Sequence, residues 1–115
     1  MNVVTLIGNL ASDVQLKEVG DGKRVAGFLL AVDRPSADGG ADFVQVSVWD
    51  RQAVSSAQYL AKGRRVALDG HLRSRSWEEE GKRRSAVEVV ARRVQFLSNP
   101  RESGEAMPFQ AAAAG

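Results

Sequence analysis

Asp42-Phe43-Val44-Gln45-Val46-Ser47-Val48-Trp49-Asp50 runs directly into Arg51-Gln52-Ala53-Val54-Ser55-Ser56-Ala57-Gln58-Tyr59-Leu60-Ala61-Lys62, and the change of rhythm between the two decides the fold. In the first segment side chains alternate. Val44, Val46 and Val48 fall on one face of a strand, and Phe43, Gln45, Ser47 and Trp49 on the other. The valine face reads as core, which leaves Phe43 and Trp49 at the two ends of a polar face. In the second segment Ala53, Val54, Ala57, Tyr59, Leu60 and Ala61 recur at helical spacing, and Gly63 stands where a glycine cap would end the helix. From Val66 to Trp77 alternation returns. Val66, Leu68, Gly70 and Leu72 share one face; Ala67, Asp69, His71, Arg73, Arg75 and Trp77 share the other.

Outward from this centre the chain reads as further strands. Val3 to Leu10 is apolar and β-branched, with Gly8 marking a bulge or a close backbone approach. Gly20-Asp21-Gly22 is a turn signal that joins it to a second strand at Arg24 to Asp33. Pro35 to Gly40 reads as a flexible loop and Glu78 to Gly81 as a polar turn. Ser85 to Leu97 forms the last strand, with a register break near Ala91. Strands with one short helix between the third and the fourth give the expected fold class: all-β, a five-stranded Greek-key barrel of the OB type. Residues 1–99 are expected to form this one domain. Residues 100–115, with an alanine-rich end, are too short and too biased in composition to pack alone, and read as a mobile tail.

The 115 residues carry a net charge of +2, which by itself argues for no partner. Its distribution is more telling. Between Lys62 and Arg93 stand ten basic residues (Lys62, Arg64, Arg65, Arg73, Arg75, Lys82, Arg83, Arg84, Arg92 and Arg93) against five acids (Asp69, Glu78, Glu79, Glu80 and Glu88), a local excess of five. A basic half on a nearly neutral chain suits a polyanion, although a solvated surface would look the same. The absence of cysteine removes disulfides, thiolate zinc sites and cysteine nucleophiles. His71 stands alone, so no histidine-based metal or acid/base cluster can be assembled, and it reads as a surface residue. Glu78-Glu79-Glu80 reads as a solvated acidic hairpin. With no phosphate-binding glycine loop and no serine beside a base, neither catalysis nor a cofactor is expected. No apolar run approaches membrane-spanning length and no secretory leader precedes the first strand, which makes a cytoplasmic protein the expectation.

Three large aromatics on polar faces need a reason. Phe28 and Phe96 sit among leucines and valines and read as core, and Tyr59 reads as packing. Phe43, Trp49 and Trp77 instead read as stacking platforms for nucleic-acid bases, because every base offers a π-face. Arg73 and Arg75 beside Trp77 fit phosphate contacts.

Five segments together resemble the bacterial single-stranded DNA-binding protein family over roughly residues 2 to 98. They are Val4-Thr5-Leu6-Ile7-Gly8-Asn9-Leu10, Val25-Ala26-Gly27-Phe28-Leu29-Leu30-Ala31-Val32, Tyr59-Leu60-Ala61-Lys62-Gly63, Asp69-Gly70-His71-Leu72-Arg73-Ser74-Arg75-Ser76-Trp77 and Val94-Gln95-Phe96-Leu97. The resemblance implies an OB-fold protomer assembling into a homotetramer. It also implies sequence-tolerant binding and protection of single-stranded DNA during replication, repair and recombination, with a nucleoid-associated place in the cytoplasm. Family base-stacking positions fall on Phe43, Trp49 and Trp77. Family phosphate contacts fall on Arg34, Lys62, Arg73 and Arg75, with Arg51 beside them.

The chain departs from the family pattern in two places. The loop from Pro35 to Gly40 lacks an aromatic. The tail is short, and Met107-Pro108-Phe109 follows only Glu102 and Glu105 and is itself followed by Gln110 to Gly115. This weakens the expectation that replication and repair proteins dock on the tail. Two other readings stay open: an OB-fold assembly factor of the primosome type, and an RNA-binding OB module.

Overall fold

The computed structural model describes residues 1–36 and 38–97. Its elements run β1 (Val4–Leu10), β2 (Gln15–Val19), β3 (Lys23–Asp33), β4 (Ala41–Trp49), α1 (Asp50–Tyr59), β5 (Arg65–Glu79) and β6 (Lys82–Leu97). The strands lie in the order β1-β5-β6-β4-β3-β2, and a further pairing of β1 with β3 closes the first five into a ring. The barrel is thus OB-like and five-stranded, as the sequence implies, with the helix leaving the strand that ends at Trp49.

β2 is an addition to the expected set. Its five residues are all exposed, so Gln15-Leu16-Lys17-Glu18-Val19 carries no apolar face for periodicity to find. What makes it a strand is the turn beyond it. Asp21 and Gly22 both take positive φ, 65° and 75°, and Lys23 N donates to the Gly20 carbonyl at 3.4 Å. That geometry folds β2 back on β3 with Leu16 opposite Ala26, as the right-handed twist of paired strands favours.

The core fills the ring. Leu10, Phe28, Leu30, Val46, Val48, Val66, Leu68 and Val89 are buried together, and burial of each such side chain is worth about 1.5–3 kcal/mol. Phe96 packs against this cluster. Two glycines permit closure. At Gly8, where β1 swings from β5 towards β3, a Cβ would lie 2.4 Å from the Ala31 carbonyl oxygen. At Gly70 it would lie 2.0 Å from the Val90 carbonyl oxygen. Gly8 is therefore a close approach. Gly70 marks the register break: Asp69 pairs with Arg93 and Gly70 with Ala91, so Arg92 is the extra residue of a bulge.

Three expectations are corrected. The helix ends at Tyr59, with Leu60 as its extended C-cap residue. Gly63 does not cap it; its φ of 94° belongs to the following turn, where its N–H donates to the Leu10 carbonyl at 2.8 Å. Leu60 is buried from that extended connection, so an apolar residue at helical spacing need not be helical. Tyr59 keeps one packing contact, a tilted ring pair with Phe96 at 6.4 Å, and is otherwise 61% exposed. Leu72 is 46% exposed, because the barrel ends at Gly70 and the alternation continues without a core to face.

Beyond that point β5 and β6 leave the barrel as a two-stranded ribbon, paired from Arg73 with Glu88 out to Glu79 with Lys82. Its two-residue turn has Glu80 and Gly81 at φ 52° and 77°, the type I′ geometry that fits strand twist. The strands therefore take in half of the segment read as a turn, with β5 reaching Glu79 and β6 starting at Lys82. Glu78–Glu80 are exposed there, and Glu79 meets Arg84 at 3.5 Å. The tail from residue 100 lies outside the described residues.

Candidate nucleic-acid interface

Register places a continuous face on the outside of the sheet. Along β4, Phe43, Gln45, Ser47 and Trp49 point outward and stand opposite Ala31, Leu29, Gly27 and Val25 of β3. Gln15 and Lys17 of β2 extend the face beyond Gly27 and Val25. Gly27 keeps the middle of this floor low. Gln45 is held across it, its Nε2 donating to the Phe28 carbonyl at 3.3 Å.

The ribbon supplies the other side. A groove of about 700 Å³ lies between the β2–β3–β4 face and the base of the ribbon, and Lys17, Gln45, Trp49, Arg73, Arg75 and Glu88 are among its lining residues. Its organising group is Glu88, 6% exposed. Ser47 Oγ donates to Glu88 Oε2 at 3.0 Å, and Arg73 Nη2 donates to the same oxygen at 3.2 Å. Arg75 Nε lies 3.5 Å from Oε1. Arg75 in turn reaches outward over Trp77, its Cζ 5.1 Å from the ring centroid, a cation–π distance.

The structure thus gathers four of the eight candidate residues into one unit: Trp49, Arg73 and Arg75 in the groove, and Trp77 joined to them through Arg75. Phe43 is 62% exposed on the same row of β4, six residues from Trp49, or about 20 Å at strand rise. Arg34 stands near it and pairs with Asp42, Nε to Oδ1 at 2.9 Å. Lys62 is exposed, and its backbone N–H donates to Asp13 Oδ1 at 3.0 Å, beside a residue that lines the groove. Arg51 lies outside the groove. It borders a second concavity with Arg24 and Tyr59, against α1.

Sequence reasoning passed over Glu88, Lys17 and Gln45. For Glu88 a signal was present: it is a lone acid in the apolar run Ala86-Val87-Glu88-Val89-Val90, and a hairpin turn at Glu80-Gly81 sets it opposite Arg73. Lys17 was hidden with the rest of β2. Among the described residues no group of three or more His, Cys, Asp or Glu is placed to hold a metal ion, and no helix is long and apolar enough to cross a membrane.

The family model described as "Single-strand binding protein family" matches residues 1–97. The "Single-stranded DNA-binding protein" of Clostridium tetani is 45% identical over 111 residues, covering 90% of this chain and 77% of that protein. "Single-stranded DNA-binding protein 3" of Clostridium acetobutylicum is 45% identical over 102 residues, 84% of this chain and 71% of that protein. The "Single-stranded DNA-binding protein" of Treponema pallidum is 38% identical over 104 residues, 86% of this chain and 59% of that protein.

Proposed function

We propose that this chain, which belongs to the single-strand binding protein family, holds single-stranded DNA in the groove between its sheet face and its ribbon, by stacking and charge and without catalysis. The observation that carries the reading is the sequence of groups from Trp49 through Arg73 and Arg75 to Trp77. It sets two guanidinium groups between two aromatic surfaces along one path. An unpaired strand can lay bases on the rings while its phosphates meet the arginines; a duplex keeps its bases stacked inside and can use only the charges. Phe43 extends the path along β4, and Arg34 and Lys62 offer further phosphate contacts at its margins. Arg51 would serve a strand that continues past Trp49 towards the helix.

Such binding suits coating and protection of DNA exposed in replication, repair and recombination, within the cytoplasm and its nucleoid. The DNA-binding names of the relatives favour this over an RNA module, and two tryptophans facing outward favour it over an assembly factor. Assembly into a homo-oligomer, a tetramer by family resemblance, has a candidate surface in β1. That strand pairs with β5 along its length but with β3 only at Asn9 and Leu10. Its remaining edge, with exposed Val3 and Ile7 beside it, is open to a second copy. Light scattering on the eluted protein gives the mass, and a monomer at micromolar concentration would refute the assembly.

The test of the main reading is tryptophan fluorescence during titration with oligo-dT at low and moderate salt, with duplex DNA and oligo-U as competitors. Strong quenching by oligo-dT, weakening with salt and scarcely produced by the duplex, is the expected result. A folded protein with no quenching would sink it.

A further inference from the structure

We infer that Glu88 is a specificity-determining residue of the groove: a built-in counter-anion that cancels one of two arginine charges, so that a strand is retained by stacking and not by charge alone. The inference rests on the binding reading above.

Among the described residues Glu88 is the one carboxylate that touches both Arg73 and Arg75, and its side chain is almost wholly covered while theirs are about half exposed. It is held from a third side by Ser47 Oγ, which fixes the acid to the barrel and not to the far end of the ribbon. A carboxylate in this position is no surface ion pair that phosphate can displace at will. To part from its arginines it would remain in the sheet face with only Ser47 as donor, which is costly for a buried charge. The arginines instead keep their inner N–H groups on Glu88 and present the outer ones to the groove.

The three side chains carry a net charge of +1 where two free arginines would carry +2. For a single strand each neutralised phosphate contributes about 0.7 to the slope of log affinity against log salt, so Glu88 removes about one such contribution. A polyanion without bases loses the larger part of its attraction by this. A strand that can stack on Trp49 and Trp77 keeps the rest.

The experiment compares oligo-dT with inorganic polyphosphate, a polyanion that cannot stack, on the full-length chain. In Glu88→Gln the amide keeps the shape and a partner for Ser47 but not the charge. The salt slope for oligo-dT should steepen by about 0.7. Polyphosphate binding should rise several-fold, and by more than oligo-dT binding, so that the preference between them narrows. Arg73→Gln should lower the slope by a similar amount, and the double variant Arg73→Gln/Glu88→Gln should restore the unmodified value. The double variant removes both partners of the pair, so it is the safer folder and decides the matter if Glu88→Gln alone does not fold. A slope that stays unchanged or becomes shallower in folded Glu88→Gln, or a double variant as low as Arg73→Gln, would overturn the inference. Failure of the unmodified protein to bind oligo-dT would instead overturn the binding reading.

Discussion

The guanidinium carbon of Arg75 stands 5.1 Å from the centroid of the Trp77 ring, and the same guanidinium reaches back to Glu88 at the base of the ribbon. The indole is therefore tied to the barrel through a cation, although it projects from a segment with no core beneath it. A ring on a bare two-stranded ribbon would sample many orientations, and each would have to be given up on binding. Stacking the guanidinium on one face settles part of that beforehand and leaves the other face to a base.

Trp77→Ala should accordingly weaken single-strand binding by about 1–3 kcal/mol, the range for loss of one base–aromatic stack. Global stability should change by no more than roughly 0.5 kcal/mol, as for a surface position without a core contact. Trp77 is 39% exposed, and its strand neighbours Ser76 and Glu78 are exposed as well. Parallel oligo-dT titration and urea melting separate the two quantities. Large destabilisation with intact affinity would put the indole in a packing role.

Phe43 and Phe28 make a paired comparison within the same barrel. Phe43 is exposed at one end of the β4 row, whereas Phe28 is fully covered in the core. Phe43→Ala should cost binding, about 1–3 kcal/mol, and leave the urea midpoint nearly unchanged. Phe28→Ala should cost about 3–5 kcal/mol of stability through the cavity it opens. A Phe43→Ala protein that melts early would show the ring to be covered in solution, by a second copy or otherwise.

The parts of this fold that were legible in the sequence are those where one face is buried. Val44, Val46 and Val48 announce their strand, and by elimination they place Phe43 and Trp49 outside. The register break at Ala91 and the close approach at Gly8 were equally readable, since a bulge and a missing side chain leave marks in the pattern. Where no core disciplines the chain the pattern misleads or falls silent. Leu72 keeps the alternation of Val66 and Leu68 after the barrel has ended, and Gln15–Val19 forms a strand that turn geometry alone explains. The site was half legible for a related reason. Aromatics on polar faces are conspicuous, and Glu88 stands out as a lone acid in an apolar run, but a cation's partner depends on register, so Glu88 becomes the partner of Arg73 only once β5 and β6 are paired.

Asn2 fastens the start of the chain to the ribbon. Its Nδ2 donates to the Leu72 carbonyl at 2.8 Å, and its Oδ1 accepts from Leu72 N–H at 2.8 Å. The side chain thereby takes the place of one further strand pair just where β5 leaves the barrel. Asn2→Ala should cost about 1 kcal/mol, the net worth of an ordinary hydrogen bond or two at an exposed site. Amide exchange gives the more local check: protection at Leu72 should fall while protection in the core strands holds. Unchanged exchange at Leu72 would mean that the amide pair does not persist in solution.

Gly70 gives the sharpest stability prediction, because the obstacle is backbone. A Cβ there would lie 2.0 Å from the Val90 carbonyl oxygen and 2.8 Å from the Ala91 Cα, and no side-chain rotation can relieve either contact. Relief requires β5 and β6 to part at the bulge, where β6 also pairs with β4 through Val89, Val90 and Ala91. Gly70→Ala should therefore cost at least the upper part of the 1–3 kcal/mol usual for overpacking, about 3 kcal/mol. Gly20→Ala is the natural comparison: no atom lies within 4 Å of a Cβ at that position, and fewer unfolded conformations should make the change neutral or stabilising by up to about 1 kcal/mol. Urea melts of the two variants should shift in opposite directions or differ by most of the Gly70 cost. If Gly70→Ala melts like the unmodified protein, the bulge can widen freely, and the barrel is not closed as tightly at Ala91 as the register requires.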